Sequence, residues 1–481
     1  MLAGVVACKA NEVEGLPILV DRIEVSGEDI MAGTSSQMTA IVHPQDATEK
    51  DVLWQSSDEE IATISTDGMV EAKQNGEVII TAQALDKGGV KGRTNIIISS
   101  FDDAGPDMGN VDAIKVSTPD ELIEALDNAQ AGDSIVLKGG EYILNEKIEI
   151  TASGTENELI TLIAEPGDER PRFDFTSMSE NSSNQGIELK GNYWHIKGID
   201  IFNAGDNGMQ IKGNNNLIEF CTFSECSDSG LQLDNGASNN TILNCDSFFN
   251  ADSKIENADG FACKLTVGTG NKFIGCRAWQ NLDDGWDGYL RDNDNITTTY
   301  ENCWAIKNGY SKEGVEGQGD GNGFKTGGSD GKDLKHNAEY RNCLAVGNVA
   351  DGFDHNSNRG SVTLYNCTAY DNGKNLNFSN TNPLEKLIIK NTAVLGPVGS
   401  INATEKDISH NSWMDGVEIS AEDFQSLQME QLTAPRKADG SLPDITFMHL
   451  VSSSDLVDKG VDVGLPFNGS APDLGAFEYV E

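Results

Sequence analysis

Over the first hundred residues, apolar and polar positions alternate in short runs broken by Gly, Asp and Pro: "RIEVSG", "QMTAIVHP", "DVLWQSSDEEIATIS", "GMVEAK", "GEVIITAQA" and "TNIIIS". A period of two puts every second side chain on one face, so each run predicts half-buried strands, and together Asp21 to about Ser100 predict a small β-sandwich. Residues 101–111, containing "FDDAGPDMGN", have no period and predict a linker. The pattern then turns helical in "STPDELIEALDNAQAGDSIVL". Thr118 is placed to cap a helix beginning at Pro119, with Glu121 completing a capping box and Leu122, Ile123 and Leu126 on one apolar face. A helix of this kind can cover the open end of a sheet.

From about Gln185 to Phe378 one frame recurs: "QGIEL", "NGMQI", "SGLQL", "DGFAC", "DGWDG", "NGFKT" and "DGFDH". Its glycines, Gly186, Gly208, Gly230, Gly260, Gly285, Gly323 and Gly352, step by 22, 22, 30, 25, 38 and 29 residues. A second column follows, Cys221, Cys245, Cys276, Cys303, Cys343 and Cys367, with Asn before the cysteine in "NCDS", "NCWA", "NCLA" and "NCTA". Two fixed columns with a variable period predict a parallel β-helix, one turn per rung and the extra residues in loops, over residues 112–481. The cysteines are read as buried apolar thiols and the asparagines beside them as a column where amides stack.

Each frame places chemistry on a rung. The residue after the glycine is apolar every time and predicts an inward side chain, so the next one points out: Glu188, Gln210, Gln232, Ala262, Asp287, Lys325 and Asp354. The column before the glycine reads Gln185, Asn207, Ser229, Asp259, Asp284, Asn322 and Asp351. It too is taken to face outward, so that a substitution at Asp284 is expected to spare the fold. With rungs about 4.8 Å apart, Asp259, Asp283, Asp284 and Asp287 converge on one small area. Solvated turn acids tolerate such crowding; otherwise a hard divalent cation with oxygen ligands relieves it, and Ca2+ suits a rigid wall through its loose six-to-eight-fold geometry. Lys325, one rung beyond Asp287, is a salt-bridge partner of Asp287 or Asp354, or a base beside a metal. Lys264 and Arg291 are either grips for a substrate carboxylate or ordinary surface charges.

Charge narrows the partners. Against 77 Asp and Glu stand 34 Lys and Arg, a formal net charge of −43, which argues against nucleic acid and anionic membranes. An anionic substrate then needs local cations or a metal. No apolar run is long enough for a transmembrane helix. In residues 1–20, "VVAC" resembles a bacterial lipoprotein cleavage box, which implies an upstream start and a lipid anchor at Cys8; a disordered tail is the other reading. A secreted or cell-surface monomer is expected. "GQGDGNGFKTGG" is no phosphate loop, since Phe324 stands where that motif needs Gly.

The run "VLWQSSDEEIATISTDGMVEAKQNGEVIITA" resembles the group-2 bacterial immunoglobulin-like domain, a spacer or adhesion unit. "NADGFACK", "NLDDGWDGY" and "GNGFKTGG" resemble the calcium and active-site segments of family 9 polysaccharide lyases, and "APDLGAFEY" is of a kind found at the end of such enzymes. The resemblance implies an all-β chain, a right-handed parallel β-helix preceded by a small immunoglobulin-like β-sandwich. It implies calcium ligands at Asp259, Asp283, Asp284 and Asp287, a catalytic base at Lys325, and β-elimination at a 4-linked galacturonate of an acidic plant polysaccharide. Both polygalacturonate and the rhamnogalacturonan I backbone present that linkage. A polygalacturonase-type hydrolase and a non-catalytic β-helix adhesin are the rival classes; the first needs a protonated acid and no metal, the second leaves Lys325 unexplained.

Overall fold

The computed structural model describes residues 17–99 apart from 28–29, 32–34, 60 and 74–75, and residues 113–480 apart from 168. The Cys8 anchor and the 101–111 linker lie outside the described residues. The chain divides into two compact units, Met1–Ser100 with Gly464–Ala471, and Phe101–Val463 with Pro472–Glu481. No helix among the described residues is long and apolar enough to cross a membrane.

In the first unit the alternating runs form strands, antiparallel except where Ile30–Met31 runs alongside Lys91–Ser99. Their inward positions, Met38, Val70, Val78, Ile80, Ile96 and Ile98, make its core, with Trp54 packed against it.

The second unit is a parallel β-helix whose rungs build three sheets of twelve, ten and ten strands. The first runs from Ile114–Val116 to Ala403–Ser409, the second from Gly140–Ile143 to Ala393–Leu395, the third from Ile148–Ile150 to Gly399–Ile401. The third sheet carries the glycine frames in the predicted register: Ile187, Met209, Leu231, Phe261, Trp286, Phe324 and Phe353 pair in succession, all buried. Rings stack along this column at centroid separations of 5.1, 4.8 and 5.0 Å for Phe261–Trp286, Trp286–Phe324 and Phe324–Phe353. Space explains the glycines. A Cβ on Gly285 would lie 2.6 Å from the Gly323 carbonyl oxygen, and one on Gly323 2.7 Å from that of Gly352. Any side chain there would push two rungs apart.

The helix Pro119–Asn128 starts as predicted, Thr118 Oγ1 accepting from the Glu121 N–H (3.3 Å) while the Glu121 carboxylate reaches back to the Ser117 N–H (2.8 Å). Its buried face is Leu122, Ala125 and Leu126; Ile123 is exposed, contrary to expectation, because those three share one narrow face of the helix and Ile123, a residue further round, falls outside it.

Eight described cysteines are buried free thiols, among them the whole predicted column, with Cys276 Sγ donating to Ile242 O (3.2 Å) and Cys303 Sγ to Phe273 O (3.4 Å). The asparagines preceding them do not form the amide ladder. Asn244, Asn302, Asn342 and Asn366 occupy left-handed corners (φ 50 to 51°), a conformation Asn and Gly tolerate and the reason Gly275 shares the column. The ladder runs elsewhere: Asn250, Asn281, Asn308, Asn348 and Asn372 each pass a side-chain N–H to the amide oxygen of the next at 2.8–2.9 Å. Beyond Ser409 the chain folds back over the second sheet, where Phe424, Leu432, Phe447 and Leu474 cover Trp304, Ile306, Leu344 and Val346. Arg277 and Arg436 both bind the buried Asp246 and hold carbonyls of this segment or its rungs.

The ladder predicts a stability effect. Asn308→Ala removes the acceptor for the Asn281 side chain and the donor for Asn348 in a dry interior, and is expected to cost about 3 kcal/mol, read as loss of stability in denaturant. In a Cys8→Ser variant a thiol reagent is expected to leave the eight described cysteines unmodified until the β-helix unfolds, and prompt labelling of that native variant would contradict their burial.

Candidate active site and metal centre

Four neighbouring strands of the third sheet, Phe261–Cys263, Trp286–Asp287, Phe324–Lys325 and Asp351–Asp354, pair so that Ala262, Asp287, Lys325 and Asp354 follow one another in register. The column before the glycine stacks as well. The Asp284 N–H donates to Asp259 Oδ1 (3.2 Å), and the Asn322 N–H and Nδ2 donate to Asp284 Oδ1 (2.8 and 2.9 Å). The Ser229 hydroxyl supports Asp259 from the rung below (3.0 Å). Asp259, Asp283 and Asp284 thereby bring carboxylate oxygens within 4.8 Å of one another. Asp287, with Oδ1 accepting from the Tyr289 N–H (3.1 Å), sits between two lysines.

Those lysines complete the cluster. Lys264 Nζ lies 2.7 Å from Asp259 and 3.3 Å from Asp287, so it is no ordinary surface charge. Lys325 Nζ lies 2.9 Å from Asp284 and 3.6 Å from Asp287. It also meets Asp320 at 3.0 Å, while Asp354, its other expected partner, faces Asn377 and His355. Arg291 stands apart, exposed and without an ion pair to a described residue. The outward reading of the Asp284 column is corrected: Asp284 is fully buried, because loops close over the rung and Gly319 rests against Asp283 and the Glu256 carbonyl.

Burial and mutual repulsion set the electrostatics. Burial and then Asp259 push Asp283 up to about 7, and burial with Asp283 pushes Asp284 well above the carboxylate range, Lys325 opposing both. Burial would also raise Asp287, but Lys325 and Lys264 outweigh it and hold Asp287 low. Burial favours neutral amines, yet Asp259 and Asp287 around Lys264, and Asp284 and Asp287 around Lys325, keep both well above the ordinary lysine value.

Two groups were not singled out by sequence. Asp320 comes from the "NGYSKEGVEGQGDG" insertion, and its N–H donates to Asp283 Oδ1 (2.6 Å); the only signal was an acid five residues before Lys325. His336 is buried between Thr298 Oγ1 (2.8 Å) and the Gly288 carbonyl (2.7 Å), which requires Nδ1 to donate. Burial depresses it to about 4, so it serves as a neutral prop under the Asp287–Tyr289 turn.

The donor set fits a hard divalent cation. Asp259, Asp283, Asp284 and Asp287, with Asp320 from the loop, face two ammonium groups, so negative charge is in excess when all are ionised, and Asp259, Asp284 and Asp287 are buried. Asp284 Oδ2 accepts no well-aligned hydrogen bond and has only the Lys325 ammonium for compensation. A buried carboxylate oxygen in that state is a ready ligand.

Residues 106–391 match the family model described as Pel9A-like, right handed beta helix region, and residues 20–94 match that of the bacterial Ig-like domain (group 2). The chain is 37% identical over 375 residues to pectate lyase L of Dickeya chrysanthemi, covering 75% of this chain and 86% of that protein. Among solved structures, pectate lyase Pel9A superposes with a TM-score of 0.67 at 34% identity, covering 74% of this chain and 90% of the other. A rhamnogalacturonan lyase does so with 0.61 at 28% identity, covering 69% and 91%.

Proposed function

The chain belongs to the Pel9A-like right-handed β-helix family and is a polysaccharide lyase of the pectate lyase type, and from that premise we propose that it cleaves 4-linked galacturonate in pectic polymers by calcium-assisted β-elimination with Lys325 as the base. The observation that carries this reading is the entry of one buried lysine into a charge-deficient carboxylate cluster, in register with Asp287. Asp259, Asp283, Asp284 and Asp287 are the residues that would hold Ca2+. When bound, calcium supplies positive charge at the uronate carboxylate and so stabilises the anion left by loss of the C5 proton.

Lys325 Nζ takes that proton, the C5–H electron pair becomes the C4–C5 double bond, and the C4–O4 bond breaks with O4 taking a proton from water. For this the amine must be neutral. Asp284 and Asp287 hold its proton in the cation-free cluster, and the same two carboxylates belong to the ligand set. Once they serve as ligands they stabilise the ammonium less, and burial then favours the free base. Of the two candidate grips for a further carboxylate of the polymer, the exposed Arg291 has no ion pair to a described residue, whereas Lys264 is held between Asp259 and Asp287. A polymer of this size is met outside the cell, which supports an exported protein. Rhamnogalacturonan I is the second substrate reading, favoured by the similarity to a solved rhamnogalacturonan lyase.

Two measurements test the reading. A chelator is expected to abolish formation of the ultraviolet-absorbing 4,5-unsaturated product from polygalacturonate, and added calcium to restore it; full turnover in excess chelator would sink the metal role. Lys325→Ala is expected to lower turnover by about a hundredfold or more while calcium still binds. Lys325→Arg is expected to fare little better, since a guanidinium keeps its proton. An arginine variant close to wild type would remove Lys325 from the chemistry.

A further inference from the structure

Two positions beyond the outward column, the third sheet carries a second line of side chains. Lys190, Lys212, Asp234 and Lys264 occupy equivalent places on successive rungs, their N–H groups donating to Ile150, Leu189, Ile211 and Leu233 carbonyls in turn. Lys264 is the end of that line and lies in the acid cluster. Lys212 is two rungs before it and Lys190 three, about 10 and 14 Å away at the spacing of parallel strands. On the rung before Lys190, Lys147 joins them.

These three lysines converge on one buried acid. Glu188 accepts Lys147 (3.0 Å), Lys190 (3.1 Å) and Lys212, and Glu149 takes second contacts from Lys147 (3.3 Å) and Lys190 (2.9 Å). Three ammonium groups on two carboxylates leave one positive charge in excess on a chain of net charge −43. Glu188 has a side chain only 5% exposed, whereas Lys190 is 39% and Lys212 27% exposed, so the acid forms the floor and the ammonium groups the surface. Each ammonium has three N–H donors, and on the part-exposed Lys190 and Lys212 some of these face solvent, where a further carboxylate can reach them. Between this cluster and the acids the outward column carries no charge, Gln210, Gln232 and Ala262, while Asp234 beside it takes an N–H from each amide on its Oδ2 (2.9 Å each), which leaves the amide oxygens as acceptors for sugar hydroxyls.

We propose that Lys190 and Lys212, steadied by Glu188 and joined by Lys147, form a distal subsite for the carboxylate of a uronate residue, so that the polymer lies along the β-helix axis over the third sheet. The inference rests on the galacturonan reading of the active site. A pyranose residue spans roughly one rung, about 4.8 Å, so a trisaccharide placed at Lys325 stops short of Lys190, whereas a hexasaccharide reaches it. The lysine line thus selects for chain length and for free rather than esterified carboxyl groups.

The test compares tri- and hexagalacturonate on the full chain with calcium present. The double variant Lys190→Gln with Lys212→Gln is expected to raise KM for the hexamer about tenfold with kcat kept, and to leave the trimer within about twofold. Lys190→Arg with Lys212→Arg is expected to restore the hexamer, since charge rather than packing is at issue. Unchanged hexamer KM in the glutamine variant, or equal losses on both oligomers, overturns the subsite. A wild-type chain that neither cleaves nor binds hexagalacturonate overturns the substrate reading itself, and the subsite with it; that result is seen before any variant is made.

Discussion

Everything in the catalytic unit follows from parallel strands stacked in register at one spacing. Each position is answered by its equivalent above and below, so a residue type chosen once constrains a column. On the third sheet the constraint acts on both sides of one backbone: Phe261, Trp286, Phe324 and Phe353 stack inside, while Ala262, Asp287, Lys325 and Asp354 follow one another outside. The flat rings fill the interior without forcing a wider rung, and the glycines just before them let the carbonyls of adjacent rungs approach where a methyl group would not fit. A rigid wall results, and side chains on it keep their separations.

Rigidity turns a liability into chemistry. Carboxylates on mobile loops would swing apart, but Asp259 and Asp284 are tied rung to rung by a backbone N–H, and Asp284 is pinned by Asn322. They cannot relieve their repulsion by moving. Two lysines compensate part of it, and the remaining negative charge is what makes the cluster a fitting place for the divalent cation proposed above. Asp320 differs from the others: it arrives on a loop, is 62% exposed, and binds Lys325 from the solvent side while its N–H steadies Asp283.

Periodic features were legible and aperiodic ones were not. The glycine frame placed Asp259, Asp284, Asp287 and Lys325 on adjacent rungs because a strand has a fixed period, and every pairing along that column agrees. The same reasoning misjudged Asp284, since alternation along a strand says which way a residue points but not whether a loop covers it. Asn244 and its equivalents were assigned to an amide ladder, whereas a left-handed corner selects Asn for its backbone; the true ladder of Asn250, Asn281 and Asn308 is periodic too, five residues after each cysteine, and was passed over for the nearer column. His336 and the Asp246–Arg277–Arg436 lock join residues from separate rungs or from the tail, and no local pattern records such a meeting. Lys264 was left open between a substrate grip and a surface charge, since the two acids it binds lie on different rungs and no local pattern joins them.

Net charge gives the lysine line its significance. An acidic protein repels a polyanion at long range, but at physiological ionic strength that repulsion fades within roughly 8 Å, and the local sign of the surface then decides what settles there. Along the third sheet the sign changes: lysines around Glu188, then the amides of Gln210 and Gln232 gathered on Asp234, then the acid cluster with its two lysines. A polyuronate lying there, as proposed, would meet lysines at one end, amides between, and a bound cation at the other. On the proposed reading, a net charge of −43 would disfavour nonproductive adsorption of the same polymer and give the lysine-bearing face its selectivity.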